Sequence, residues 1–185
     1  MDREVSLVFD LETDGFLQDV TTIHCLAIHD LDTKETYTYN DTGSQEPIVR
    51  GIQRLKDANT IIGHNIIGFD IPVIRKLFNW FTDPACVIDT LLLSRLYHPN
   101  IIKVDKKHQW NHMPLKLYGR HSLESYGYRL GEFKGSFGAS TDWKDWSQEM
   151  EDYCTQDVHV TTKLWKHFLN LLRYYLFARS LSIAI

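Results

Sequence analysis

Nothing in this sequence approaches the roughly 20 consecutive apolar residues that a membrane-spanning helix needs. The opening stretch MDREVSLVFD is acidic where a secretion signal is basic. These two absences predict a soluble, unexported, cytoplasmic protein with no membrane partner. Cysteine is scarce: Cys25, Cys86 and Cys154 are odd in number and none belongs to a CxxC pair, which argues against both a disulfide framework and a zinc site. A reducing compartment fits. An excess of positive charge is missing too. The formal net charge of -4 counts against a phosphate-rich partner, because such binding draws on Lys and Arg. That objection weakens if several carboxylates bind divalent cations, since the formal count then overstates the negative potential.

What is present is an ordinary globular composition. With 185 residues, 43% hydrophobic and 24% charged, the chain predicts one domain, residues 1–185, able to bury a substantial core. The core is expected over about residues 4–177, with an apolar tail at 178–185 that packs on a partner or on the chain itself.

The apolar run VSLVFD, residues 5–10, ends on an acid, as a buried strand does when it delivers a polar group to a sheet edge. A second apolar stretch, 22–29, leads through the turn-rich DLDT, 30–33, to an alternating segment, 36–39. Ile48, Ile52 and Leu55 recur at helical spacing, and a short strand follows at 60–63. Residues 70–80 predict a helix with Pro72 in its first turn, 86–88 a strand, and Asp89 or Thr90 the cap of a helix ending near Tyr97. The stretch 98–120 has no clear period and predicts a long loop. A short helix near 122–126, a Gly-rich segment GEFKGSFGAS and a long helix over about 147–177 complete the chain. The pattern implies an α/β fold, a mixed sheet covered by helices.

Three acidic signals stand out along that frame. Asp10 and Glu12 are two apart at a strand end, so extended backbone turns both carboxylates to one face; an isolated D-x-E serves equally well in a turn. Asp70 opens a helix just after the strand ending at Gly63, where open α/β sheets place their sites, but an ordinary N-cap Asp reads the same way. Tyr153 and Asp157 are four apart in the last helix, on one face; a packed ring and a surface acid fit as well.

The order of the three is more specific than any one. Asp10-Leu-Glu-Thr-Asp-Gly-Phe16, Gly63-His-Asn-Ile-Ile-Gly-Phe-Asp70 and Tyr153-Cys-Thr-Gln-Asp157 resemble the three exonuclease motifs of the DEDDy group, which includes the proofreading domains of family A DNA polymerases. The segment His121-Ser-Leu-Glu-Ser-Tyr-Gly-Tyr-Arg-Leu-Gly-Glu-Phe-Lys-Gly135 is similar to its counterpart in the replicative polymerases of short-tailed phages. The resemblance implies a ribonuclease H-like fold, with a mixed five-stranded sheet flanked by helices. It implies a 3′-to-5′ exonuclease that releases nucleoside monophosphates from single-stranded or mismatched DNA ends, acting in the host cytoplasm if the chain is viral. The polymerase thumb, palm and fingers are absent from this sequence, so a separately encoded polymerase is a candidate partner.

The same resemblance assigns roles. Asp10, Glu12 and Asp157 hold the ion that activates water, Asp10 bridges to a second ion supported by Asp70, and Tyr153 orients the attacking water. Thr13, Phe16 and Asn65 bind the terminal nucleotide. Oxygen ligands of this kind suit Mg²⁺ or Mn²⁺, and a pair of ions suits phosphodiester hydrolysis. The phenol is a poor base, its ordinary pKa being about 10. In related enzymes that use His, it stands five residues before the last acid; that position is Asp152, and His159 lies roughly 200° around the helix from Asp157. Phe16 serves either as a wedge on unpaired bases or as a packed loop anchor. The cations of 98–120, with Trp110 and Tyr118, suit either a single-strand groove or a solvated loop. Two readings rival DNA exonuclease: an enzyme like RNase D acting on RNA, and a non-catalytic nucleic-acid-binding module of the same fold.

Overall fold

The computed structural model describes residues 4–43, 45–132 and 144–183, with side chains up to Arg173. Strand β1 (Ser6–Thr13) lies at the centre of the sheet. It pairs antiparallel with β2 (Ile23–Asp30), which pairs antiparallel with β3 (Thr36–Tyr39). On its other side β1 pairs in parallel with β4 (Thr60–Gly63), and β4 in parallel with β5 (Cys86–Asp89). The five-stranded order is thus β3-β2-β1-β4-β5, a mixed, ribonuclease H-like sheet as expected.

Alternation along β1 divides its side chains between two cores. Leu7, Phe9 and Leu11 join Leu26 and Ile28 beneath α1 (Ile48–Asp57) and α2 (Asp70–Leu77). Val8 turns the other way and packs with Cys25, Ala27 and Ile62 against Met150, Cys154 and Val158 of the long helix, residues 148–183. Because side chains alternate strictly, Asp10 and Glu12 share the face of Val8 and hence that of the long helix. Fully burying aliphatic side chains on both faces stabilises each by roughly 1.5–3 kcal/mol. The strand that carries the acids is therefore held from both faces of the sheet.

The strand continues to Thr13, past the expected end at Asp10, because Glu12 still pairs with Cys25 of β2. The expected helix 70–80 stops at Leu77 and the expected helix 122–126 runs from Leu123 to Leu130. Gly131, at φ 70°, closes the latter in the left-handed conformation that glycine adopts without strain. The long helix extends to Ile183, through most of the expected tail. Most of the Gly-rich segment lies outside the described residues.

The expectation of a long loop over 98–120 is wrong. Helix α3 (Thr90–Tyr97) is followed by α4 (Ile101–His108), then a 3-10 turn at Leu115–Leu117 and α5 (Leu123–Leu130), ahead of α6 (Gln148–Ile183). Asp105, fully buried on α4, organises this region. It accepts from Arg129 Nε at 2.9 Å and Nη2 at 2.7 Å, from the Trp110 indole at 2.9 Å and from the Gly119 backbone at 2.8 Å. Its main partner lies 24 residues downstream, so no local period reveals it. Trp110, with its N–H spent on Asp105 and its ring 3.6 Å from that of His108, is held by the fold and is not a free stacking platform.

Candidate functional site

Helix α6 delivers the third motif to the first. Its buried stripe Met150, Cys154 and Val158 lies on the sheet, which brings the adjoining positions Tyr153 and Asp157 beside Asp10 and Glu12. Ligand atoms of Asp10, Glu12 and Cys154 all lie within 4.8 Å of one another. Asp10 and Asp157 line one cleft of about 570 Å³. The Tyr153 phenol is pushed far above its ordinary value, first by burial, then by the negative charges of Asp157, Glu12, Asp10 and Glu124. It is a neutral hydroxyl, able to donate and unable to act as a base near neutral pH.

Cys154 sits within reach of the two carboxylates without the character of a ligand for a hard cation. Its thiol is fully buried, donates to the Asp10 carbonyl at 3.2 Å and is pushed well above its usual pKa by burial and by Cys25. It forms the neutral back wall of the site.

Asp70 is not a helix cap. The N-cap of α2 is Phe69, and Asp70 is the first helical residue, only 4% exposed. Its carboxyl is pushed up to about 7: burial dominates, the Asp89 charge adds to it, and backbone hydrogen bonds at Asp70 and Leu11 oppose it. Both Asp70 and Asp157 stand outside the 4.8 Å group formed by Asp10, Glu12 and Cys154.

The segment that leads to Asp70 is clamped from β5. Asp89 Oδ1 accepts from the backbone N–H of Asn65 at 2.9 Å and of Leu91 at 2.8 Å, and Oδ2 accepts from Ile67 at 3.2 Å. Thr90 donates to the Gly63 carbonyl at 3.0 Å, and its hydroxyl also bonds His64 Nδ1 at 2.9 Å. Asn65 adopts φ 67°, a left-handed conformation that Asn tolerates better than most residues, and lines the cleft.

The other two expected substrate residues differ. Thr13 is buried, and its hydroxyl donates to the Gly15 carbonyl at 2.9 Å, so its contact is to its own turn. Phe16 is 80% exposed, which rules out the packed anchor. His159 is exposed and 6.3 Å from the ring of His29, and Asp152 bonds Gln148.

Sequence reasoning missed Asp89 beyond its capping role, Glu124, and the basic side of the cleft. Arg95, Arg120 and His121 line the cleft together with Asp10 and Asp157. The signal for His121 was its place at the start of the segment similar to phage polymerases, and Arg120 was the last of the cations of 98–120. Arg95 had none, being a single cation on the helix expected to end near Tyr97.

The donor set suits divalent cations. Asp10 and Glu12 converge as hard oxygen donors, and a buried carboxyl such as Asp70, held towards its neutral form, is relieved by a nearby cation. Among the described residues, no helix is long and apolar enough to cross a membrane.

Comparison with known proteins agrees with this geometry. The chain is 31% identical to the DNA-directed DNA polymerase of Escherichia phage T7 and 32% identical to that of Enterobacteria phage T3, over 91% of its own length in each case. It spans 27% of those polymerases, and the similarity fits their exonuclease domain. The Brucella melitensis protein NrnC superposes with a TM-score of 0.62 at 19% identity, covering 91% of this chain and 74% of NrnC; a further structure of NrnC holds bound Mg²⁺. Residues 7–169 match the profile of the RNase H superfamily, and the chain belongs to that superfamily.

Proposed function

We propose that this chain is a 3′-to-5′ exonuclease domain that hydrolyses the terminal phosphodiester of DNA strands and releases nucleoside monophosphates. The observation that carries the reading is the convergence on Tyr153. Its phenol feels the charges of Asp157, Glu12 and Asp10, acids from two separate elements gathered around one neutral donor. Asp10, Glu12 and Asp157 would hold one divalent ion, and Asp70, with Asp10, would support a second. Mg²⁺ or Mn²⁺ bound there supplies charge neutralisation at the phosphate and lowers the pKa of the attacking water. The Tyr153 hydroxyl orients that water. Asn65 and Phe16 engage the terminal nucleotide, Phe16 by stacking, whereas Thr13 shapes the turn that carries Phe16.

DNA as substrate, and a proofreading role beside a polymerase, rest on the similarity to the two phage polymerases; a cytoplasmic location follows from that role. A 3′-labelled single-stranded DNA, a mismatched duplex and an RNA of the same sequence, each with Mg²⁺ or EDTA, test the reading. The expected result is metal-dependent release of labelled monophosphate from both DNAs, lost in Asp10→Ala. Cleavage in EDTA overturns the mechanism, and RNA cleaved in preference to DNA overturns the substrate.

A further inference from the structure

His121 lines the same cleft as Asp10 and Asp157. Its Nδ1 bonds the hydroxyl of Ser94, and that hydroxyl bonds the Tyr126 hydroxyl at 2.7 Å. Ser94 and Tyr126 are buried, at 0% and 3% exposure, whereas His121 lines the cleft beside Arg95 and Arg120. The ring is therefore fixed from behind through Nδ1, and Nε2, on its opposite side, is the nitrogen left for a ligand.

Two hydroxyl arrangements fit these contacts. In the one that serves an anionic ligand, Tyr126 O–H donates to Ser94 and Ser94 O–H to Nδ1, which leaves the ring proton on Nε2. Burial first, then the cationic neighbours Arg129 on α5 and Arg95 on α3, hold His121 below its usual pKa, with Asp105 on α4 opposing; the charge of His121 in turn lowers His98, which bonds His167 of α6. In that arrangement the imidazole presents one N–H to the cleft.

We propose that His121 is a substrate-contacting residue, its Nε2–H donating to a non-bridging phosphate oxygen of the strand whose 3′ end lies at the acids, with Ser94 and Tyr126 as the positioning residues behind it. The inference rests on the exonuclease reading and adds to it a donor in the cleft that holds the acids. A phosphate oxygen is acceptor-only, so the tautomer set by the relay decides whether the contact forms. The Arg95 and Arg120 guanidiniums, in the same cleft, supply the long-range attraction that the overall charge of the chain lacks.

The test uses the whole chain and a fluorescent single-stranded oligodeoxynucleotide. Binding is measured by anisotropy in Ca²⁺, and kcat and KM in Mg²⁺, for His121→Ala, His121→Gln and Ser94→Ala. Losing a hydrogen bond to a charged oxygen predicts roughly a tenfold to hundredfold rise in Kd and KM for His121→Ala. His121→Gln places an amide donor near the former Nε2 and recovers most of that loss. Ser94→Ala frees the tautomer and gives a smaller rise. A methylphosphonate at the contacted linkage weakens wild-type binding and leaves His121→Ala binding nearly unchanged. Wild-type affinity in His121→Ala overturns the inference alone. Equal losses in His121→Ala and His121→Gln, with a lowered thermal midpoint, overturn it in favour of a purely structural histidine. A wild-type protein that neither binds nor cuts the oligonucleotide overturns the exonuclease reading and this inference with it.

Discussion

The carboxylate of Asp89 accepts the backbone N–H of Asn65 at 2.9 Å, and this one contact ties the end of β5 to the segment that carries the second acidic motif. The same carboxylate takes the N–H groups of Ile67 and Leu91. Without it, donors in a partly buried turn lose their acceptor, at about 1–3 kcal/mol for each one left unsatisfied. Asp89→Ala is therefore expected to lose about 2–4 kcal/mol of stability in urea unfolding. Its exonuclease activity is expected to fall further than stability explains, because Asn65 and Asp70 lose their register. Wild-type stability in this variant refutes the clamp.

Tyr153 lends itself to a sharper comparison. Its phenol is held neutral by burial and by three acids of the site, so removing the hydroxyl removes a donor and no charge. Tyr153→Phe is expected to lower kcat by about one to two orders of magnitude, the scale of one lost positioning hydrogen bond. Asp10→Ala or Asp157→Ala is expected to abolish turnover. Single-turnover rates on a 3′-labelled strand decide between these outcomes; a fully inactive Tyr153→Phe implies a direct chemical role for the phenol.

Asp70 gives the site a pH signature. Its carboxyl is raised from 3.8 to about 7 in the protein without metal, so the folded state holds the proton more tightly than the unfolded chain. The stability this contributes is full below about pH 4 and is lost as pH rises through about 7. Bound cations favour the ionised form and reverse the trend. The rise in thermal midpoint caused by Mn²⁺ is thus expected to be larger at pH 8 than at pH 6. The buried His29 and the half-buried His98, His121 and His167, pushed below their usual values chiefly by burial, act in the opposite sense, adding stability as pH rises through about 6.5. Asp70→Asn isolates the carboxyl: it removes the falling component and most of the pH dependence of the Mn²⁺ shift. An unchanged pH dependence in Asp70→Asn refutes the assignment.

Phe16 shows where sequence runs out and structure decides. The turn around it is pinned: Asp14 accepts the N–H groups of Thr21 and Thr22, and Lys76 donates to the carbonyls of Leu17 and Gln18 at 3.1 and 3.0 Å. The ring nevertheless stands 80% exposed. Phe16→Ala is expected to leave stability within about 0.5 kcal/mol of wild type and to weaken single-strand binding by about 1–3 kcal/mol through lost stacking. Thermal unfolding and oligonucleotide titration separate the two effects, and unaltered affinity removes Phe16 from the binding surface.

The elements legible in the sequence were those whose signal is local. Residues 36–39 and 60–63 match the observed strands because alternation or an apolar run, bounded by turns, suffices to mark them. Strand β1 was read short since the acids that matter most interrupt its apolar pattern, while its ladder with β2 continues past them. Position along the chain brought Asp10, Glu12, Tyr153 and Asp157 together, but the clamp of Asp89 on Ile67 and the bond of His121 to Ser94 are contacts that the fold makes over 22 residues or more, and Arg95 emerges only as part of the cleft. Helix α4 is the extreme case, because a buried aspartate sits where a periodic reading expects water.

That buried aspartate carries the last prediction. Asp105 and Arg129 form a bidentate pair with side chains 0% and 6% exposed, and removing one partner leaves the other charge uncompensated in the interior. Arg129→Met is expected to destabilise by about 3–5 kcal/mol. The loss also reaches the cleft. Asp105 holds the Gly119 N–H, and Gly119, at φ 77° with Ile102 packed over its Cα, sets the path of Arg120 and His121. Trp110→Phe, which deletes one donor to the same carboxylate, is expected to cost about 1 kcal/mol and to leave the salt dependence of DNA binding unchanged, because the tryptophan serves the fold and meets no phosphate. A shallower salt dependence in Trp110→Phe, with stability intact, returns this segment to the binding surface as a single-strand groove.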